Sequence, residues 1–345
     1  MNTSSYNYQT LVLDALNGIS NQRTKDIISL RYGLEDGQKR TLEEIGRKYG
    51  ITRERVRQIE DAAFSDLKNS SAINALKPVF KTIDAFLNKE GQVVREERLL
   101  SSMTGVDQIH PERGAIFFTL TVGEPYRRFV GSDKFHPLWT NSDESLKKVE
   151  ALIDFLIGKI NKEGKIIPFE QILNYSKQWN GGIDKKALNS YLDAARKISQ
   201  NNSGHFGLSH WPEINPRGAK DKAYIVLKQH GQPLHFREVT DLINRAGLGS
   251  SVAQAQTVHN ELIKDDRFIL VGRGIYALRD WGYQPGTIKD VISRILKENG
   301  PLAKDEIVKK VMESRMTKPN TILINLQNKE YFSKNEQGRY SFIKK

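Results

Sequence analysis

Residues 40–68 read RTLEEIGRKYG-IT-RERVRQIEDAAFSDLK, and the architecture of the N-terminal part of the chain follows from them. Leu42, Ile45 and Tyr49 recur at helical spacing, with Glu43, Glu44, Arg47 and Lys48 between them. Gly50 suits the left-handed residue that closes a first short helix. Thr52 has the chemistry of an N-cap, because its hydroxyl can accept an orphan backbone N–H of a second helix. Val56, Ile59, Ala63 and Leu67 give that second helix one apolar stripe, while Arg53, Glu54, Arg57 and Gln58 lie off the stripe near its start. Two short helices joined by a glycine turn meet the requirements of a DNA-binding helix-turn-helix, whose second helix offers its N-terminal side chains to the major groove. Arg can pair with guanine O6 and N7, Gln with adenine N6 and N7, and Glu can accept from cytosine N4.

The same residues carry a resemblance. RTLEEIG followed by TRERVRQIE is similar to region 4 of the sigma-70 family of bacterial RNA polymerase sigma factors. The similarity extends upstream through Ile19, Ser20, Asn21, Gln22 and Arg23 and through IISLRYGLEDG at residues 27–37. The resemblance implies reading of a −35-type promoter element in double-stranded DNA and docking on the β flap of bacterial RNA polymerase core. Carried over by position, it makes Arg53, Glu54, Arg57 and Gln58 the base-reading residues and puts Thr52 and Arg55 near phosphates. One departure stands out. Where the family usually carries basic residues farther along the helix, this chain has Asp61, Ala62, Ser65 and Asp66, which puts contacts with conventional activators in doubt.

Beyond residue 70 the chain repeats a pattern at a period of about 70 residues. Four segments open with an apolar helix and reach a glycine turn: EGQVVREERLLSSM from Glu90, EGKIIPFEQILNYS from Glu163, HGQPLHFREVTDLI from His230 and NGPLAKDEIVKKVM from Asn299. A third helix and a strand hairpin follow each turn. The hairpins are expected in YRRFVGSDKFHPLW (126–139), GHFGLSHW (204–211), RFILVGRGIYALRDW (267–281) and YFSKNEQGRYSFIK (331–344). Helix, short strand, helix, helix, hairpin is the order of a winged helix. In the first segment the third helix, Pro111–Val122, is unusually apolar. The third segment, from PLHFREVTDLINRAG to the Leu278–Trp281 ending LRDW, resembles the HARE-type winged helix of the RNA polymerase delta subunit and of some chromatin and restriction proteins. That resemblance implies an interaction module and no catalysis.

The expected architecture is therefore mainly α. A helix-turn-helix occupies residues 1–70, and tandem winged helices with small β-wings occupy 71–142, 143–216, 217–283 and 284–345. Residues 1 to about 10 are polar and expected to fray. In the winged helices, Arg273 and Arg339 sit in wings, where phosphate contact is common; Arg127 and Arg128 are weaker candidates of the same kind. Polar third-helix residues (Gln254, Gln256, His259 and Asn260; Lys318, Asn320, Thr321 and Asn325) are mostly expected to be solvated.

Composition agrees with a polyanionic partner. The 345 residues carry 53 Lys and Arg against 41 Asp and Glu, a net charge of +12, and about half of the excess lies beyond residue 284. With no cysteine there is no disulfide framework, thiolate zinc site or Cys nucleophile. No phosphate loop or dinucleotide fingerprint occurs, the seven histidines show no metal-ligand spacing, and no carboxylate cluster suits a nuclease; neither an enzyme nor a cofactor is expected. Glu96 and Glu97 read as ordinary exposed helix charges. No signal sequence or membrane span is evident, so a cytoplasmic, nucleoid-associated protein is expected. Only some ten to twenty residues precede the region 4-like stretch, and none resembles the aromatic-rich segment that melts the −10 element. The expectation is a sigma-like regulator that lacks that segment. The alternative is a delta-like polymerase-associated interaction factor with only nonspecific DNA contact.

Overall fold

The computed structural model describes residues 6–179, 182–248 and 251–343, so residues 1–5 of the polar lead-in and residues 344 and 345 after the final hairpin lie outside it. The chain divides into two compact units, Met1–His210 and Trp211–Lys345. The fold is mainly helical with small antiparallel sheets.

The first unit opens with α1 (Tyr8–Leu16) and α2 (Gln22–Tyr32), followed by α3 (Leu42–Tyr49) and α4 (Arg53–Asn69). A 3₁₀ turn, Ser71–Leu76, then leads into the first winged helix. This consists of α5 (Lys77–Lys89), β1 (Val93–Arg95), α6 (Glu96–Thr104), α7 (Pro111–Val122), β2 (Arg127–Phe129) and β3 (Leu138–Thr140). Its sheet has the order β1-β3-β2, with Trp139 opposite both Val94 and Arg128. The second winged helix comprises α8 (Asp143–Glu163), α9 (Phe169–Gln178), α10 (Lys185–Ala194), β4 (Ile198–Gln200) and β5 (Phe206–Leu208). Its short strand is reduced to a bridge between Ile167 and Phe206.

The second unit holds two further winged helices. One has α11 (Gly218–His230), β6 (Leu234–His235), α12 (Phe236–Arg245), α13 (Ala255–Lys264), β7 (Phe268–Gly272) and β8 (Ile275–Leu278), with sheet order β6-β8-β7. The other has α14 (Ile288–Asn299), α15 (Lys304–Ser314), α16 (Pro319–Leu326), β9 (Phe332–Lys334) and β10 (Tyr340–Phe342). Leu302 bridges to Tyr340 in place of its short strand. Each of these two modules closes its own core around its three helices.

Two sequence expectations change here. The hairpin sought in GHFGLSHW contributes only its second strand; the first is Ile198–Gln200, upstream of the Asn201–Gly204 turn, because Ile198 supplies the apolar partner for Leu208. Glu96 is no solvated charge. It lies under the wing, where it takes two hydrogen bonds from Arg128 (2.6 and 3.0 Å) and one from the indole N–H of the buried Trp139 (2.9 Å). Glu97 pairs with Arg113 at 2.7 Å.

The apolarity of α7 has a physical cause. One continuous core runs from Tyr8, Val12 and Leu16 through Ile28, Tyr32 and Leu67 to Ile116, Phe118 and Trp139. Helix α7 thus serves two modules at once, its own winged helix and the helices in front of it, and is buried on nearly every side. Gly114 allows the approach: a Cβ there would lie 2.3 Å from the Tyr32 carbonyl oxygen. Glu112, on the same helix, accepts hydrogen bonds from the backbone N–H groups of Tyr8 (2.8 Å) and Gln9 (3.2 Å), so a distant carboxylate caps the orphan donors of α1.

At the centre of this core Tyr32 is ringed by Phe64, Phe117 and Phe118, at centroid distances of 5.9, 6.0 and 5.2 Å. Its hydroxyl donates to Glu60 Oε1 at 2.6 Å, and Arg31 Nε stands 3.6 Å from the same oxygen. Burial first, then the Glu60 charge, push the Tyr32 phenol well above its ordinary range, so it remains a proton donor. Tyr32→Phe leaves the buried carboxylate without this donor. Denaturant titration should show a loss of about 1–3 kcal/mol in unfolding free energy.

Lys39 closes the same seam from outside, its ammonium 3.1 Å from the centroid of the Phe117 ring. The residue as a whole is exposed, but its pKa follows the crowded ammonium. Burial there, with Arg128, Arg113 and Arg31 adding to it against the pull of Glu96, lowers the pKa to about 8 from the ordinary 10.5. Between those values the unfolded chain holds a proton that the folded chain has released, so stability should rise with pH through that window. Comparing unfolding curves at both ends of the window should show the rise in the natural protein and a flatter response in Lys39→Met.

Candidate nucleic-acid interface

Helices α3 and α4 form the helix-turn-helix expected from residues 40–68. Thr41 and Glu44 make a reciprocal capping box at the start of α3. Gly50 ends that helix at φ 64°, in the left-handed region. Gly46 lets the turn fold back tightly, since a Cβ there would lie 2.7 Å from the Ile51 carbonyl oxygen. The Thr52 hydroxyl accepts from the Arg55 N–H at 3.1 Å and caps α4. Beneath, Val56 packs with Ile27 and Ile45 in a small core that also takes in Leu30, Leu42, Tyr49, Ile51 and Ile59.

This base sends the first two turns of α4 into solvent. Arg53, Glu54, Arg55, Arg57 and Gln58 are all exposed, so the four base-reading candidates share one open surface with Thr52 and Arg55. The Arg53 side chain makes no hydrogen bond or ion pair with another described residue. Arg55 Nη1 donates to Gln58 Oε1 at 3.1 Å. Arg57 is held from both directions along the helix. Its Nε donates to both Glu54 oxygens at 3.1 Å and its Nη2 to Glu54 Oε1 at 2.6 Å, while its Nη1 donates to Asp61 Oδ2 at 2.8 Å. Arg57 holds the Glu54 carboxyl below its usual range, and Glu54, then Asp61, raise the guanidinium pKa in return. Farther along, Asp61, Ala62, Ser65 and Asp66 are exposed, giving an acidic face. Sequence reasoning misses the role of Asp61 as a partner of Arg57, although its i+4 spacing carries the signal.

The third helices of the four winged helices differ in their availability. Helix α7 is enclosed as described. Helix α10 packs on the first winged helix: Ser190 Oγ donates to the Val93 carbonyl (2.9 Å), Tyr191 OH to the Gly91 carbonyl (2.8 Å), and Lys186 pairs with the buried Glu90 (2.8 Å). The segment just after it pairs with the first wing, Arg196 N–H donating to the Lys134 carbonyl (2.7 Å) and His136 N–H to the Ala194 carbonyl (2.9 Å). Helix α7 has no open face, and α10 leaves only a strip with Lys185 and Asn189 exposed. Helices α13 and α16 are amphipathic, with one buried face and one open.

On α13, Gln254 stands at the N-cap, Gln256 and Asn260 are exposed and bonded to each other (3.2 Å), and His259 is half-buried, stacked 4.3 Å from Phe236. At α16, Lys318, Asn320 and Thr321 are exposed, whereas Asn325 bonds back to the Thr321 carbonyl (2.8 Å). Both wing arginines, Arg273 in the turn between β7 and β8 and Arg339 before β10, are exposed. Arg127 and Arg128 are already engaged, by Asp143 (2.5 Å) and Glu96, which weakens the case for phosphate contact at the first wing. Among the described residues no group of three or more His, Asp or Glu is placed to hold a metal ion, and no helix is long and apolar enough to cross a membrane.

Comparison with known proteins matches two parts of this architecture. Residues 21–69 fit the family model of sigma-70, region 4, and residues 219–281 fit that of the HARE-HTH domain, the helix-turn-helix domain named for ASXL and restriction endonuclease proteins among others. The chain is 55% identical over 56 residues, 16% of its length, to RNA polymerase principal sigma factor HrdD of Streptomyces viridifaciens. It is 48% identical over 66 residues, 19% of its length, to RNA polymerase sigma factor SigA of Listeria monocytogenes. In both cases it spans 17% of the relative's own length. The N-terminal helix-turn-helix is thus a sigma-70 region 4 domain, and the third winged helix is a HARE-HTH domain.

Proposed function

We propose that this chain is a sequence-specific, sigma-like DNA-binding factor that works with bacterial RNA polymerase, using α4 to read a −35-type promoter element. The observation that carries this reading is the exposed first two turns of α4, capped by Thr52 and fixed over a closed base, inside the stretch that matches region 4. Arg53, Glu54, Arg57 and Gln58 supply base-edge contacts, and Thr52 and Arg55 lie at the phosphates. Arg273 and Arg339 add wing contacts to the backbone. Weak contacts spread over one chain raise affinity through effective concentration. Polymerase association through the β flap is the partner implied by region 4.

A second reading draws on the other unit. Its open third helices carry exposed Ile263 (63%) and Ile324 (67%), which suit a protein partner better than a phosphate backbone. In that reading the chain grips polymerase through the second unit and touches DNA nonspecifically. A pull-down with core polymerase in the absence of DNA, set beside a selection from random duplexes, separates the two. Promoter-type reading predicts an enriched motif and salt-sensitive binding. A selection without enrichment overturns it. Arg57→Ala should weaken binding to the enriched duplex by about 1–3 kcal/mol and relax one base position, read by titration against singly substituted duplexes.

A further inference from the structure

We infer that Asp61 restrains Arg57 and thereby sets the affinity of α4 for DNA. The inference rests on the reading that α4 enters a groove. Asp61 is one helical turn beyond Arg57, on the same exposed face. A guanidinium has five N–H donors. In Arg57 the Nε and an Nη2 hydrogen go to Glu54 and an Nη1 hydrogen goes to Asp61. Bidentate recognition of guanine needs two neighbouring donors aimed outward, away from the helix. Glu54 belongs to the reading surface itself and can turn with Arg57. Asp61 lies farther along the helix and draws Nη1 back along it. One hydrogen on each of Nη1 and Nη2 remains, but while Asp61 holds Nη1 along the helix the guanidinium is not free to turn this pair outward, so outward recognition by Arg57 competes with the Arg57–Asp61 pair. An exposed ion pair of this kind contributes little to folding, so its removal leaves the fold in place. Its effect falls on binding. The α4 contact becomes conditional: it forms firmly only when other parts of the chain, or a partner, already hold it beside the duplex.

The test uses the full chain, with fluorescence-anisotropy titrations on the duplex enriched by selection and on a mixed-sequence duplex of equal length, over a range of salt concentrations. The proteins are the natural chain, Asp61→Asn, Arg57→Ala and the double variant. Low salt keeps binding by the weakened variants measurable. Asp61→Asn is expected to bind the enriched duplex about fivefold more tightly. The gain is expected to disappear in the Arg57→Ala background, because the restraint acts through Arg57. If the natural chain binds with sequence preference and Asp61→Asn binds no more tightly, the inference falls while the reading of α4 stands. If the gain persists without Arg57, Asp61 merely repels phosphates and the restraint is overturned. If no protein distinguishes the two duplexes and Asp61→Asn gains nothing, the reading of α4 and the inference fall together.

Discussion

A single hydrogen bond, from the Tyr32 hydroxyl to Glu60 at 2.6 Å, sits where three parts of the first unit meet. Tyr32 ends α2, Glu60 lies midway along α4, and the surrounding rings come from α4 and α7. A buried carboxylate is tolerated only when its lone pairs are met, so the position of α4 relative to α2 is tightly constrained. The phenylalanine rings extend that constraint to the first winged helix. The exposed front of α4 is mounted on this arrangement, and its orientation depends on a core that a helix-turn-helix alone does not possess.

This changes the meaning of the tandem modules. In the first unit the winged helices act as scaffold. Their third helices, which in such folds commonly face a ligand, are spent on packing: α7 against the helix-turn-helix and α10 against the first winged helix. In the second unit α13 and α16 keep one face open and the two wings keep their arginines exposed. Four copies of one topology thus divide into two that support and two that remain available.

The parts of this that are legible in the sequence are those fixed locally. Gly50, Thr52 and the stripe at Val56, Ala63 and Leu67 all act within a few residues of one another, and pattern captures them. The parts that escape depend on distant partners. Glu96 reads as a solvated helix charge because Arg128 and Trp139 lie far along the chain. Glu60 falls on the apolar stripe between Val56 and Ala63, and nothing nearby announces Tyr32 as its partner. The apolarity of α7 is visible as an anomaly, but the helices it packs against lie in a different module of the sequence pattern. The hairpin at residues 204–211 is displaced by half its length because the polar Asn201–Gly204 turn separates two short strands whose apolar residues are few. Of the interface, the base-reading candidates fall on an exposed face, as their spacing off the stripe requires; the restraint on Arg57 emerges only with side-chain geometry.

The cap on α1 has a consequence for how the chain is made. Glu112, which receives the N–H groups of Tyr8 and Gln9, follows them by about a hundred residues. On a ribosome α1 emerges before α7, so although Asn7 caps it locally, the N–H groups of Tyr8 and Gln9 wait for their final acceptor until α7 has been synthesised. The apolar faces of α1 and α2 must wait, exposed, through that interval. Completion of the helix-turn-helix is thereby coupled to synthesis of the scaffold that packs against it, and a nascent chain cut short before α7 carries the exposed front of α4 without the core behind it.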